Sequence, residues 1–298
     1  MTIKHLVLSG GGPTLISTLG NLQFLEKSQY FTRDDIISIY GTSAGALVGV
    51  LYCLRFDWDI ITDYIIKRPW KDVFPIKVEN IFDSFSKKGI FDSKTIEKCF
   101  VPLLKAKDLE LDVTLKDFFD YSKIEIHFFT FEINRFEVVD ISYLSHPDLS
   151  LLTAVQMSCA LPVLVTPVCI DDECFIDGGV VCNYPLNYCL DKFNKEEEIL
   201  GFKNKYDKEE RNNNTKINKD SNLLDFIMNF LFKMISNLCS SDKQPKIPYE
   251  VITDTKFMTI EFFKKSFSSE DARRELFLKG VESAENFITL QNITLQKL

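Results

Sequence analysis

Ile36-Ile37-Ser38-Ile39-Tyr40-Gly41-Thr42-Ser43-Ala44-Gly45, running on into an apolar stretch that ends near Leu54, decides the fold. Residues 36–40 read as a short buried strand and 44–54 as an apolar helix, with a glycine-flanked serine at the turn between them. G-x-S-x-G in that setting is a nucleophile elbow. Its logic is steric. The serine occupies a sharp, strained turn, and Gly41 and Gly45, two residues to either side, let strand and helix approach closely. The hydroxyl then stands clear of the sheet, over the positive end of the helix that begins at Ala44. The pentapeptide alone occurs by chance in many chains; the strand before it and the helix after it give it weight.

The same pattern appears upstream. Residues 3–8 form an apolar strand that ends at Gly10-Gly11-Gly12, and Leu15, Leu19, Leu22 and Leu25 then recur at helical spacing over 13–27. Strand, glycine turn and helix, twice over, predict an α/β chain: a mostly parallel sheet with right-handed crossovers and helices packed against it. Residues 124–131 and 136–141 add strands rich in β-branched and aromatic side chains. Residues 151–170 carry no charge, but Pro162 and Pro167 argue for a buried helix, a turn and a strand rather than a membrane span.

The second half is less regular. Residues 195–220 mark a break in composition, with Glu196-Glu197-Glu198 and Asn212-Asn213-Asn214 among Lys, Asp and Arg, and they read as a charged, mobile insertion at about 195–221. A C-terminal segment, 222–298, completes a single catalytic domain spanning 1–298. Within it, residues 223–238 form a helix whose narrow polar stripe holds Asp225, Asn229 and Lys233. So wide an apolar arc belongs either in a core or against lipid. Residues 251–263 read as a late strand and 269–291 as a closing helix.

Composition narrows the function classes. The 298 residues are 45% apolar, enough for a sizeable core, and the net charge of −8 comes with no basic stripe, which excludes nucleic acid as a partner. The start of the chain has no secretory leader pattern, which predicts a cytoplasmic protein, peripheral on membranes at most. The abundance of Phe, Lys, Ile and Asn fits an AT-rich genome such as that of a large DNA virus or a protist; a viral protein would act in the host cytoplasm. Eight cysteines include no C-x-x-C pair and sit among aliphatic residues, so they read as small buried hydrophobes rather than as metal ligands or disulfides.

An activated serine needs a base. The histidines are His5, His127 and His146, and none lies in the last half of the chain, where the histidine of a Ser–acid–His order would fall. Asp177-Gly178-Gly179 follows the strand-like Cys174-Phe175-Ile176, which places a carboxylate at a strand end beside glycines. Burial raises the basicity of such a group above that of a free Asp. The backbone N–H groups of Gly10, Gly11 and Gly12 offer an oxyanion hole, in which one donor is worth about 2.7–4 kcal/mol of transition-state stabilisation. A dinucleotide fingerprint would need Gly in place of Leu15, and a P-loop would need Gly-Lys-Ser/Thr; neither fits.

These elements, in this order, resemble the patatin-like phospholipase family. Ser9-Gly10-Gly11-Gly12-Pro13 is similar to its oxyanion loop, Gly41-Thr42-Ser43-Ala44-Gly45 to its elbow and Asp177-Gly178-Gly179 to its acid–base segment. Met157-Ser158-Cys159-Ala160-Leu161-Pro162, Asn183-Tyr184-Pro185, Gly89-Ile90-Phe91-Asp92 and a closing helix with Gly280 also match. The resemblance covers about 3–192 and 250–293. It implies a three-layer α/β/α sandwich and a Ser43–Asp177 dyad, with Gly41, Gly45, Gly178 and Gly179 in support. It further implies cleavage of fatty acyl esters of phospholipids or other glycerolipids through an acyl-enzyme, at a transient membrane surface and without metal or cofactor. The chain departs from the pattern at Pro13-Thr14-Leu15, where the family places a basic residue and then Gly. A weakly active lipid-binding relative, an acyltransferase and a soluble esterase are the competing readings.

Overall fold

The computed structural model describes residues 2–75, 84, 86–206, 217–219, 221–239, 245–256 and 258–295. Its strands are β1 (His5–Leu8), β2 (Ser38–Thr42), β3 (Gly89–Phe91), β4 (Glu125–Glu132), β5 (Glu137–Ile141), β6 (Val163–Val165), β7 (Val168–Ile170), β8 (Glu173–Asp177), β9 (Ile199–Tyr206) and β10 (Glu250–Thr255). One sheet has the order β10-β9-β1-β2-β4-β8-β7, with β5 paired to β4; β3 and β6 make a separate parallel pair. From β10 to β4 every neighbour is parallel, while β8, β7 and β5 join antiparallel.

The helices are α1 (Leu15–Lys27), α2 (Ala44–Cys53), α3 (Trp58–Lys67), α4 (Trp70–Val73), α5 (Ser93–Lys105), α6 (Leu115–Ser122), α7 (Leu151–Cys159), α8 (Leu186–Phe193), α9 (Leu223–Cys239), α10 (Ile260–Ser268) and α11 (Glu270–Leu295). They cover both faces of the sheet because its central strands are apolar on both. Leu6, Leu8, Ile39, Ile126 and Phe128 enter one core together with α1, α2 and α11. Val7, Tyr40 and Phe129, the alternate residues, meet Leu186 and Cys189 of α8 in another. α1 and α11 cross where small residues permit it: a Cβ on Gly280 would lie 2.7 Å from the Ser17 carbonyl carbon, and one on Gly20 3.2 Å from that of Phe277.

Register brings the loops of interest together. His5 pairs with Ser38 and Leu8 with Gly41, so the three glycines after β1 emerge beside the turn after β2. Leu8 also pairs with Phe202 of β9, which carries Asn204 up to the same glycines. Asp177 pairs with Thr130 of β4, on the other side of β2.

Three expectations need correction. The charged insertion begins later than 195: Ile199–Tyr206 is a central strand between β1 and β10, with Ile199, Leu200 and Phe202 buried. The apolar run there is only Ile199-Leu200-Gly201-Phe202, too short to stand out among its charged neighbours. Residues 207–216 and 220 of that expectation lie outside the described residues. The late strand ends at Thr255, and Ile260–Ser268 is helical, started by Thr259, whose hydroxyl accepts from the Phe262 amide at 3.0 Å. Cys169 and Cys174 form a disulfide, because the β7–β8 hairpin sets them directly opposite one another. Cys53, Cys159 and Cys189 are buried free thiols, in line with the reading of small core residues.

Candidate active site

Ser43 sits at φ 52° and ψ −118°, outside the comfortable regions for a side-chain-bearing residue. Its surroundings hold it there. The Ser43 amide donates to Ser158 Oγ at 2.9 Å, and Ser158 Oγ donates onward to the Phe129 carbonyl at 2.8 Å. Close packing on both sides explains the flanking glycines. A Cβ on Gly41 would meet the Ala46 nitrogen at 2.7 Å, and one on Gly45 the Leu8 carbonyl carbon at 2.7 Å. Both obstacles are backbone and cannot move aside.

Ser43 Oγ donates to Asp177 Oδ2 at 2.6 Å. The other carboxylate oxygen, Oδ1, accepts the Gly179 amide at 2.7 Å, and the Asp177 amide donates to the Ala160 carbonyl at 3.0 Å. Glycine is required at 178 as well, since a Cβ there would lie 2.7 Å from the Phe129 carbonyl carbon. Asp177 is only 4% exposed, and burial pushes its carboxyl up to about 6 despite the opposing hydrogen bonds from Ser43 and Gly179. Cys159 lines the same cavity; burial first, and the Asp177 charge second, hold its thiol protonated. The histidines are occupied elsewhere: His5 with Ser38, His127 with Asp140 and His146 with Ser145.

The glycine loop differs in one respect from its expected use. The Gly10 amide donates to the Asn183 carbonyl at 2.9 Å, so it is not free to meet an oxyanion. Gly11 and Gly12 line the cavity instead, and Gly12 takes a left-handed φ of 55° beneath the Phe263 ring. The Gly10 carbonyl accepts from Asn183 Nδ2 at 3.2 Å and from Asn204 Nδ2 at 3.1 Å. Thr14, at the position of the family's basic residue, donates its hydroxyl to the Gly11 carbonyl at 3.1 Å.

Ser43 and Asp177 open onto a cavity of about 220 Å³. Apart from the polar groups just described, its walls are largely apolar, with Leu47 and Leu51 from α2, Trp70 and Phe74 beside α4, Phe100 from α5 and Phe267 from α10. A hydrocarbon chain fits such a lining, and a sugar or peptide would leave its polar groups unpaired.

The patatin-like phospholipase model matches residues 6–190, more than half of the chain. The chain belongs to the patatin-like phospholipase family. The probable lipid hydrolase 463L of Invertebrate iridescent virus 6 is 24% identical over 197 residues, which cover 65% of this chain and 66% of that protein. The uncharacterized protein YqhO of Bacillus subtilis (strain 168) is 25% identical over 198 residues, covering 60% of this chain and 64% of that one. The matched stretch is thus just under two thirds of each relative's own length. The crystal structure of VipD from Legionella pneumophila shares the fold, with a TM-score of 0.58 at 16% identity over 97% of this chain and 67% of that one.

Within this patatin-like framework, sequence reasoning placed Ser43, Asp177 and the three glycines in one neighbourhood but missed what holds them. Ser158 lies in the Met157-Ser158-Cys159-Ala160-Leu161-Pro162 stretch, and a hydroxyl on so apolar a helix is the signal that the sequence offers for it. Asn204 gave none, for it sits in the region read as an insertion and beyond the residues that match the family.

Proposed function

We propose that this patatin-like protein hydrolyses fatty acyl esters of phospholipids or other glycerolipids, with Ser43 as nucleophile and Asp177 as general acid–base. The observation that carries the reading is the 2.6 Å hydrogen bond from Ser43 to a buried carboxylate at the wall of an apolar cavity. Asp177, its proton affinity raised by burial, takes the hydroxyl proton as Ser43 Oγ attacks the ester carbonyl. The negative charge that develops on the carbonyl oxygen faces the Gly11 and Gly12 amides. Collapse of the tetrahedral intermediate breaks the ester bond, and Asp177 returns the proton to the departing glycerol oxygen. Water then attacks the acyl-enzyme with Asp177 again as base, releasing the fatty acid and restoring Ser43.

Lipid substrate implies work at a membrane surface, and α9 supports this. Its inner residues Met228, Phe232 and Ile235 are buried, with Ile235 at the cavity wall. Its outer residues Leu223, Phe226 and Phe230 are 66%, 53% and 58% exposed and fall on one stripe. Such a helix lies in an interface with its apolar side in lipid and needs no span. Among the described residues no helix is long and apolar enough to cross a membrane. A peripheral protein of the cytoplasm, of the host in the case of a virus, fits this reading.

The test combines a serine-directed fluorophosphonate probe with fatty-acid release from phosphatidylcholine vesicles, on wild type, Ser43→Ala and Asp177→Asn. Wild type should label and turn over lipid, and both variants should lose both activities. Labelling that persists in Ser43→Ala overturns the assignment of the nucleophile. Labelling of wild type without fatty-acid release replaces hydrolysis with lipid binding by a weakly active relative.

A further inference from the structure

The three-glycine loop can serve an oxyanion only if its peptide planes are turned the right way, and glycine does not enforce that by itself. Carbonyl and N–H of a planar trans peptide point in opposite directions, so a group that grips one carbonyl also aims the next N–H. Two such grips are present. The Gly10 carbonyl is held from two sides by the side-chain amides of Asn183 and Asn204, at 3.2 and 3.1 Å. The N–H of the same peptide unit belongs to Gly11, which lines the cavity. The Gly11 carbonyl accepts from the Thr14 amide at 3.2 Å and the Thr14 hydroxyl at 3.1 Å, which aims the Gly12 N–H in turn.

Both grips meet at one residue. Asn204 Nδ2 lies 3.1 Å from the Gly10 carbonyl and 2.8 Å from Thr14 Oγ1, which accepts from Asn204 while donating to Gly11. Ser9 Oγ lies 3.2 Å from the same nitrogen and accepts the Asn204 amide at 3.3 Å. Asn204 is 6% exposed, and it sits near the end of β9, two residues past the Leu8–Phe202 pair with β1 and opposite Thr253 of β10. The space is full: a Cβ on Gly11 would lie 2.6 Å from the Asn204 amide.

We infer that Asn204 is a positioning residue for the oxyanion loop, acting through the Gly10 carbonyl and through Thr14 to aim the Gly11 and Gly12 amides at the reacting carbonyl. Thr14 then has a stated task in place of the missing basic residue: it supplies no charge but fixes the second peptide plane. The inference rests on the Ser43–Asp177 reading and adds to it a residue outside the stretch that matches the family.

The experiment measures kcat and KM on a soluble p-nitrophenyl ester for the full chain carrying Asn204→Ala, Asn204→Asp, Thr14→Val or Thr14→Ser. Loss of one oxyanion donor costs roughly 10²–10³ in kcat, so misaimed donors should cost about ten- to hundredfold, with KM nearly unchanged. Asn204→Asp keeps the volume but loses the donated hydrogens once ionised, and should fall as far as Asn204→Ala at pH 8. Thr14→Val should lose rate, and Thr14→Ser, which restores the hydroxyl, should recover most of it. The double variant Asn204→Ala/Thr14→Val should lose less than the product of the two single losses, because both act on one network. Folded Asn204→Asp or Thr14→Val with wild-type kcat, or with KM alone raised, overturns the inference. An otherwise wild-type chain that keeps its rate after Ser43→Ala overturns the dyad reading instead, and the two failures are thereby told apart.

Discussion

Ser43 Oγ and Asp177 Oδ2 stand 2.6 Å apart across 134 residues of sequence, and each is held in place by further hydrogen bonds of its own. Ser158 holds the Ser43 backbone, and Gly179 occupies the second carboxylate oxygen of Asp177, leaving Oδ2 for the hydroxyl. In the proposed mechanism, orientation and proton transfer are thus divided between the two oxygens of one carboxylate. In a Ser–His–Asp triad a third side chain does the orienting.

The pH dependence follows from the carboxyl. As the proposed base, Asp177 must be ionised to accept a proton, and burial pushes its carboxyl up to about 6. Activity should rise with pH through about 6 and level off above it. A profile of kcat/KM on a soluble ester, which reports the free enzyme, checks this. An acid limb centred near 4 would show that burial does not govern the base.

The same burial has a cost in stability. A carboxyl raised from 3.8 to about 6 corresponds to roughly 3 kcal/mol of disfavoured ionisation. Because the folded pKa lies above the unfolded one, this cost is absent below pH 4 and complete above pH 6. Asp177→Asn should therefore unfold at higher urea concentration than wild type at pH 8, by up to about 2–3 kcal/mol, with the gain fading as pH falls from 6 to 4. A variant destabilised at pH 8 would mean that the ionised carboxylate stabilises the fold.

The parts legible in the sequence are those built from local spacing. Strand, Gly-x-Ser-x-Gly and helix define the elbow within about twenty residues. Asp177 was legible as a carboxylate beside paired glycines, given the placement of the three histidines. What could not be read depends on strand order. Asn204 reaches Gly10 only because β9 inserts next to β1, a pairing across more than 190 residues that leaves no local trace. The availability of the Gly10 amide likewise turned on the Asn183 carbonyl, which the glycine motif does not contain.

Ser158 provides a test of how the proposed nucleophile is held. Its hydroxyl accepts from the part-buried Ser43 amide and donates to the buried Phe129 carbonyl. Ser158→Ala leaves both backbone groups without that partner, at a cost of about 1–3 kcal/mol for the buried Phe129 carbonyl and less for the part-buried Ser43 amide. The strained turn should loosen, lowering kcat about tenfold or more and reducing stability in urea. Wild-type kcat in a destabilised Ser158→Ala would limit the serine to a packing role.

The outer face of α9 separates interfacial from intrinsic activity. Phe226 and Phe230 are more than half exposed, so replacing them with Ser removes little from the core. Each ring that enters lipid contributes about 1–2 kcal/mol of transfer free energy, and the double variant Phe226→Ser/Phe230→Ser should partition onto vesicles about thirty- to a thousandfold more weakly. Fatty-acid release from phosphatidylcholine vesicles should fall with it at low lipid concentration. Hydrolysis of a soluble short-chain ester should hold near the wild-type rate, since neither ring lines the cavity. Equal loss on both substrates would place these rings in the fold of the active site and remove α9 as the route from the bilayer to Ser43.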